Sequence, residues 1–431
     1  MNLAATELAA VFLGLAVLLL VSKALGELAR RLGHAAVIGE LGAGILLGPT
    51  VFGGIFPELA AKIFPKTGAG GAFFSVLQGI GVLIFLLTAG TETHLSRLRQ
   101  HARAAIWVSA GGVILPFAIG FTSAHYGHGF FAGSLAGPVA AGKPLVLELF
   151  FATALAISAL PVIAKVLMDL GLLRSEIGVV TMAAAILDDL AGWLIFACVL
   201  GLATLGSELR WSDLAAMIGL TLLFSAAMLV GFRPLIHRMF GWLRTHTPWP
   251  STFVTLSIVC AFIAAAMTEW IGVHGLFGAF IAGVAIADSD HADEAARKPL
   301  EEMSLSFFAP LFFAMIGLRV DFIRGFDGPL IAVVLAVACL GKVLGCGIMA
   351  RIAGLEPAKA WSVGFAMNAR GAMEIVLGLA AFQAGLISEK LFVALVVMAL
   401  VTSLMSAPVI RWLLRREQMR EIEHNGAEKR A

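Results

Sequence analysis

The chain has 431 residues, of which 60% are hydrophobic and 13% charged, with a formal net charge of +2. A soluble domain carries about 25% charged residues, so this composition excludes a water-soluble globule and reads as an all-helical protein crossing a membrane many times. The near-neutral charge leaves no footprint for nucleic acid, and Cys198, Cys260, Cys339 and Cys346 lack metal-ligand spacing and read as packing residues.

Apolar windows of about 20 residues, the length that crosses the hydrocarbon core, centre near residues 17, 44, 80, 113, 157, 189, 221, 260, 280, 312, 339, 369 and 400. They predict about thirteen spans. The first follows a start, Met1 to Glu7, without the basic region of a signal peptide, so it is expected to remain as a helix. The second carries the glycine-rich run Ile38 to Ile45, and the third ends in Phe85 to Gly90. In the fifth, Thr153 to Ile163, Pro161 removes a backbone donor and predicts a kink or break beside Ser158. Such a break offers hydroxyl and carbonyl oxygens to a small hard cation.

The sixth span, Thr181 to Ala197, holds the adjacent carboxylates Asp188 and Asp189. Each charge at bilayer depth costs about 2.5–3.5 kcal/mol on insertion scales, and such residues mark ion or proton paths. Two side by side also repel. In the eleventh span Lys342 lies about fourteen residues from the outer loop, roughly 21 Å at 1.5 Å per residue. At that depth a counter-charge is expected, and the aspartate pair is at matching depth. The twelfth span holds Asn368, Arg370 and Glu374. The i,i+4 spacing of Arg370 and Glu374 predicts one helix face, where they neutralise each other, and Gly371 permits a local break that frees carbonyls. His274 lies near the outer end of a span and reads as packing. His94, His101, His237 and His246 fall among basic loops and read as a solvated face.

The connecting charges alternate. Arg30/Arg31, Arg97/Arg99/Arg103, Arg174, Arg233/Arg238/Arg244, Arg297/Lys298, Arg351/Lys359 and the tail to Arg430 outnumber Lys62/Lys66, Lys143, Arg210, Arg319/Arg324 and Lys390. The richer side marks the cytoplasm, which puts the N-terminus outside and the C-terminus inside. The expected organisation is a membrane domain over 1–414 and a short cytoplasmic tail over 415–431. Ile38 to Ile45 resembles Phe277 to Val284, and Phe85 to Gly90 resembles Phe312 to Gly317, with each pair opposed in direction. Inverted repeats of this kind go with secondary transporters and a midplane site. The longest loops leave no room for an ATPase domain, and Gly68-Ala-Gly-Gly71 lacks the Lys-Ser/Thr of a phosphate loop. The energy source is therefore expected to be an ion gradient.

Four stretches resemble the monovalent cation:proton antiporter-2 family: Val37 to Pro49, Ser158-Ala-Leu-Pro161 leading into Asp188-Asp189, His274 to Gly283, and Pro310 to Gly317. Together with Lys342 and Arg370-Gly371 they cover nearly the whole chain. The resemblance implies thirteen helices with broken crossing helices, a mobile core domain, a dimerisation domain and a homodimer in the cell membrane. It implies that Asp189 carries the cation or proton and that Asp188 pairs with Lys342. The two-aspartate form implies electrogenic exchange. Potassium efflux relatives of the Kef type carry Gln-Asp here and append a nucleotide-sensing domain, and this chain shows neither. Ser158 is Thr in many relatives and Ala156 stands where Ser is common.

The expected protein is thus a transporter, not an enzyme, without a cofactor, with Na⁺ (or K⁺ or Li⁺) and H⁺ as cargo and the lipid bilayer as surroundings. Asp189, Asp188, Lys342 and Ser158 are the expected ion- and proton-binding residues, with the transported cation on the two aspartates. Thr153, Pro161, Asn368, Arg370 and Glu374 are expected in support. Na⁺, K⁺ and Li⁺ all use hard oxygen ligands, so the residues leave the cation open, as they do whether Arg370 and Glu374 serve the ion or the fold. A proton-coupled symporter of an organic solute would need a roomier polar pocket, and a channel would need a filter sequence. An intramembrane aspartyl protease would draw its aspartates from separate spans, whereas adjacent side chains on one helix point about 100° apart.

Overall fold

In hydrocarbon a backbone amide has no water to bond, which leaves helices and closed barrels as the spanning structures. The computed structural model describes residues 5–428 apart from 33, 35, 66, 93–101, 128–133, 141–142, 174, 205–210, 272–273, 288 and 290–292. Lys66, His94, Arg97, Arg99, His101, Arg174, Arg210 and Arg430 therefore lie outside the described residues. Within them the chain is helical, with one isolated bridge between Ala136 and Ile387.

In chain order the helices are α1 (Ala5–Arg31), α2 (Ala36–Leu47), the short α3 (Phe52–Ile55) and α4 (Pro57–Ile63), α5 (Gly68–Thr91), α6 (Ala102–Tyr126), α7 (Pro144–Ala156), α8 (Leu160–Asp169) and α9 (Glu176–Thr204). There follow α10 (Trp211–Ala226), α11 (Arg233–His246), α12 (Ser251–Ile271), α13 (Gly275–Ala287), α14 (Glu294–Met303), α15 (Ala309–Arg319), α16 (Gly328–Ile352), α17 (Pro357–Met367), α18 (Ala372–Gln383) and α19 (Glu389–Glu428). Single π-helical stretches join α10 to α11 and α14 to α15. Among the described residues, 11 helical segments are long and apolar enough to cross a membrane, and Pro144–Ala156 and Gly275–Ala287 are shorter apolar helices. The chain is a multi-pass membrane protein. The predicted centres fall on these segments, with residues 157 and 369 landing in the breaks after α7 and α17.

The chain forms two compact units, residues 1–95 with 200–326, and residues 96–199 with 327–431. In the first, lipid tails supply no hydrophobic drive between helices, so close backbone approach does the work. A Cβ placed on Gly44 would enter the backbone of α15 at Ala314, and one on Gly317 would strike Gly44 in return. Gly90 of α5 meets Gly283 of α13 in the same way, with the added Cβ 2.9 Å from the opposing Cα. The similar segments expected from sequence thus pack crosswise: α2 lies on α15, and α5 on α13.

The second unit contains the pattern helix, broken helix, helix twice: α6, α7/α8, α9 and then α16, α17/α18, α19. Its counterparts α6 and α16 pack directly. Gly111 lies against Gly345 and Pro116 against Gly341, so the two helices run antiparallel. The inverted relation is clearest here, in helices other than those whose sequences resemble one another. The two breaks also meet, since Ala159 N–H donates to Ala369 O at 3.3 Å.

Candidate functional site

α9 places Asp188 and Asp189 near its middle, and both are buried, at 0% and 2% exposure. Lys342, on α16, is fully buried as well. Its ammonium has three protons and three partners: Asp188 Oδ2 at 2.5 Å, Ala156 O at 2.5 Å and Gly112 O at 2.8 Å. Ser158, in the break after α7, has its hydroxyl 3.2 Å from Asp188 Oδ2 and 2.9 Å from Met367 O, the carbonyl ending α17. The two carboxylates therefore have different surroundings. Asp188 is held by a cation and a hydroxyl, whereas among the described residues no group hydrogen-bonds Asp189, whose Oδ1 is sealed from the surface.

Arg370 and Glu374 pair at 2.9 Å, but not on a shared helical face as their spacing predicts. Arg370 stands in the break at 368–371, and Glu374 in the first turn of α18. From the break the guanidinium reaches Ala154 O at 3.0 Å, Leu155 O at 2.5 Å and Ile157 O at 3.1 Å. With Lys342 on Ala156 O, the carbonyls of residues 154 to 157 all receive donors from cations. At the first break, then, the carbonyls at the end of α7 that were expected to be free for an ion already accept from Arg370 and Lys342, which cap the helix. The cap also suits the negative end of the helix dipole.

Pro161 lies in the first turn of α8, where a missing N–H costs nothing, so it starts a helix rather than kinking one. The chain breaks just before it, at Ile157–Ala159. Thr153 donates to Leu149 O at 2.6 Å within its own helix, and this bond does not bring it to the aspartates. Asn368 approaches Cys339 Sγ at 3.4 Å through its amide nitrogen, and its buried Oδ1 has no hydrogen-bond partner among the described residues. His274, between α12 and α13, is 3.7 Å from Glu269. Burial lowers its pKa, and the carboxylate pulls it part of the way back. Glu269 Oε1 also accepts from the first amide of α13, Gly275 N, at 2.8 Å.

Sequence reasoning passed over Gly112 and read Cys346 only as a packing residue. A Cβ on Gly112 would lie 2.5 Å from Cys346 Sγ and 3.5 Å from both Asp188 Oδ2 and Lys342 Nζ. The adjacent pair Gly111-Gly112 inside a span was the available signal. Gly112→Ala is expected to destabilise by about 1–3 kcal/mol, read by thermal unfolding in detergent. Adding Cys346→Ala should recover part of that loss, because the new methyl then has room. Strictly additive losses in the double variant would show that the contact does not matter.

The model of the family described as sodium/hydrogen exchanger, transmembrane, matches residues 15–416. The chain is 31% identical over 406 residues to cation/H(+) antiporter 20 of Arabidopsis thaliana, an alignment covering 92% of this chain and 47% of that one. It is 31% identical over 382 residues to K(+)/H(+) antiporter 1 of Saccharomyces cerevisiae, covering 86% and 43%. The chain thus spans about half the length of these two relatives. The Na(+)/H(+) antiporter NhaS4 of Synechocystis sp. is 28% identical over 394 residues, covering 90% of this chain and 93% of that one. Among solved structures, the sodium proton antiporter MjNhaP1 of Methanocaldococcus jannaschii shares the fold, with a TM-score of 0.66 at 17% identity over 94% of this chain and 98% of that one. All of these are transporters, not enzymes. The chain belongs to the sodium/hydrogen exchanger family of transmembrane monovalent cation:proton antiporters.

Proposed function

We propose that this chain exchanges a monovalent cation, Na⁺ before K⁺ or Li⁺, for protons across the cell membrane, with Asp189 as the carrier. The observation behind this reading is the unequal pair: two adjacent buried carboxylates, one held by Lys342 and the other without a hydrogen-bond partner among the described residues. Charge bookkeeping supports it. Asp188 cancels Lys342, Glu374 cancels Arg370, and Asp189 is left over. One proton or one monovalent cation on Asp189 neutralises the set. An empty, charged site is costly to move through the bilayer, so movement follows loading and the two ligands compete for one carboxylate.

Every candidate residue lies in the unit formed by 96–199 and 327–431. We assign that unit as the moving body and the other as the scaffold that holds a second copy in a homodimer. The N-terminus is placed outside and the C-terminus inside, and the two-aspartate form favours electrogenic exchange. A K⁺/H⁺ reading is kept as the second, because relatives named for K⁺ stand beside those named for Na⁺.

The test is reconstitution into vesicles with an imposed pH gradient, adding Na⁺, K⁺ and Li⁺ separately, with and without a voltage clamp. Na⁺ should collapse the gradient, and the clamp should change the rate. A response to K⁺ alone would transfer the assignment to K⁺, and no response to any of the three would overturn it.

A further inference from the structure

The connection between α2 and α5 encloses an apolar hollow that the ion chemistry does not use. Leu47, Pro49, Ala60, Phe64 and Leu318 wall a cavity of about 370 Å³. A second, of about 210 Å³, adjoins it across Phe64, Pro65 and Leu318 and is lined at its edge by Arg319. Arg319 ends α15, is exposed, and donates to Ser75 Oγ at 2.7 Å. Among the described residues no carboxylate pairs with it. Ile55, Phe56 and Leu59, on the same connection, are 65%, 54% and 48% exposed. A segment this apolar on its outer side belongs against lipid rather than water.

We propose that the hollow binds one anionic phospholipid of the surrounding leaflet, an acyl chain in the cavity and the phosphate on Arg319. The walls are mostly hydrocarbon, with Thr67 and exposed backbone making up the rest, which suits a tail better than a polar solute. The guanidinium at the edge is the right donor for a phosphate, since its planar fork takes two oxygens at once. A headgroup of net negative charge matches a cation that no carboxylate among the described residues pairs. A zwitterionic headgroup brings its own ammonium and gains less. Long basic side chains at helix ends reach the headgroup level in this way.

Native mass spectrometry of the full chain in detergent, titrated with phosphatidylglycerol and phosphatidylcholine, tests the proposal. The unmodified protein should retain one phosphatidylglycerol in preference to phosphatidylcholine. Arg319→Gln should cut that preference about fivefold, the value of one basic residue near an anionic surface. Ala60→Phe, which fills the cavity, should lower retention of both lipids. A single monodisperse species and intact cation:proton exchange establish that each variant is folded. Undiminished preference in Arg319→Gln, or undiminished retention in Ala60→Phe, overturns the site. Variants that turn monomeric while lipid retention stays unchanged would make this face a contact between two copies, and that also overturns it.

Discussion

Asp189→Asn is expected to abolish cation-dependent proton movement in reconstituted vesicles while leaving the protein folded. The amide keeps the shape of the carboxylate but neither releases a proton nor offers a negative charge to a cation. Asp189 has no hydrogen-bond partner among the described residues, so the exchange breaks no bond within the protein. It also relieves the repulsion between Asp189 and Asp188 and removes a buried charge that Lys342 does not pair. The melting temperature in detergent should therefore hold or rise as transport falls to the level of empty vesicles. Loss of transport together with a collapsed melting temperature would point to misfolding. Sustained exchange by a well-folded Asp189→Asn protein would remove the carrier role from this residue.

Lys342→Ala should show the opposite balance, a large loss of stability with an altered rather than absent transport signal. Its ammonium satisfies a carboxylate and two backbone carbonyls, none of them exposed to water. Removing one partner of a buried ion pair costs about 3–5 kcal/mol, because the other charge stays behind uncompensated. The double variant Asp188→Asn with Lys342→Ala should recover a good part of this, since no lone charge then remains. Thermal unfolding of the two singles and the double gives the coupling directly. Exchange measured under a voltage clamp should show a changed dependence on pH or on potential in Lys342→Ala. If both are unchanged, Lys342 is a strut of the fold and no part of the coupling.

The site residues differ in how far they could be read from the chain. Asp188, Asp189 and Lys342 stand out because a charge is costly in hydrocarbon wherever the rest of the fold lies; matching depth pairs Lys342 with the two aspartates, and the choice of Asp188 came from the family resemblance. Ser158 was visible through Pro161, although the proline starts α8 instead of bending it. Arg370 and Glu374 were paired correctly for a mistaken reason. The i,i+4 rule assumes a continuous helix, and the chain is broken between them and the end of α17. Gly112 escaped notice, and Cys346 was read only as packing, because glycine and cysteine are unremarkable in any membrane span and only the partner helix brings the two together.

The line between the two sources of information follows the range of the physics. Hydropathy, the cost of buried charge and the geometry of proline act over a few residues to one span, so the sequence by itself determined the helices, their membrane setting and the aspartate pair. The crosswise packing of α2 on α15 and α5 on α13, the split into two units, and the antiparallel match of α6 with α16 were decided in the tertiary structure. So was the capping of α7. Arg370 reaches Ala154 across 216 positions, and Lys342 reaches Gly112 across 230. Which carbonyl a buried cation satisfies depends on what else packs within hydrogen-bond reach, and separation along the chain carries no information about that.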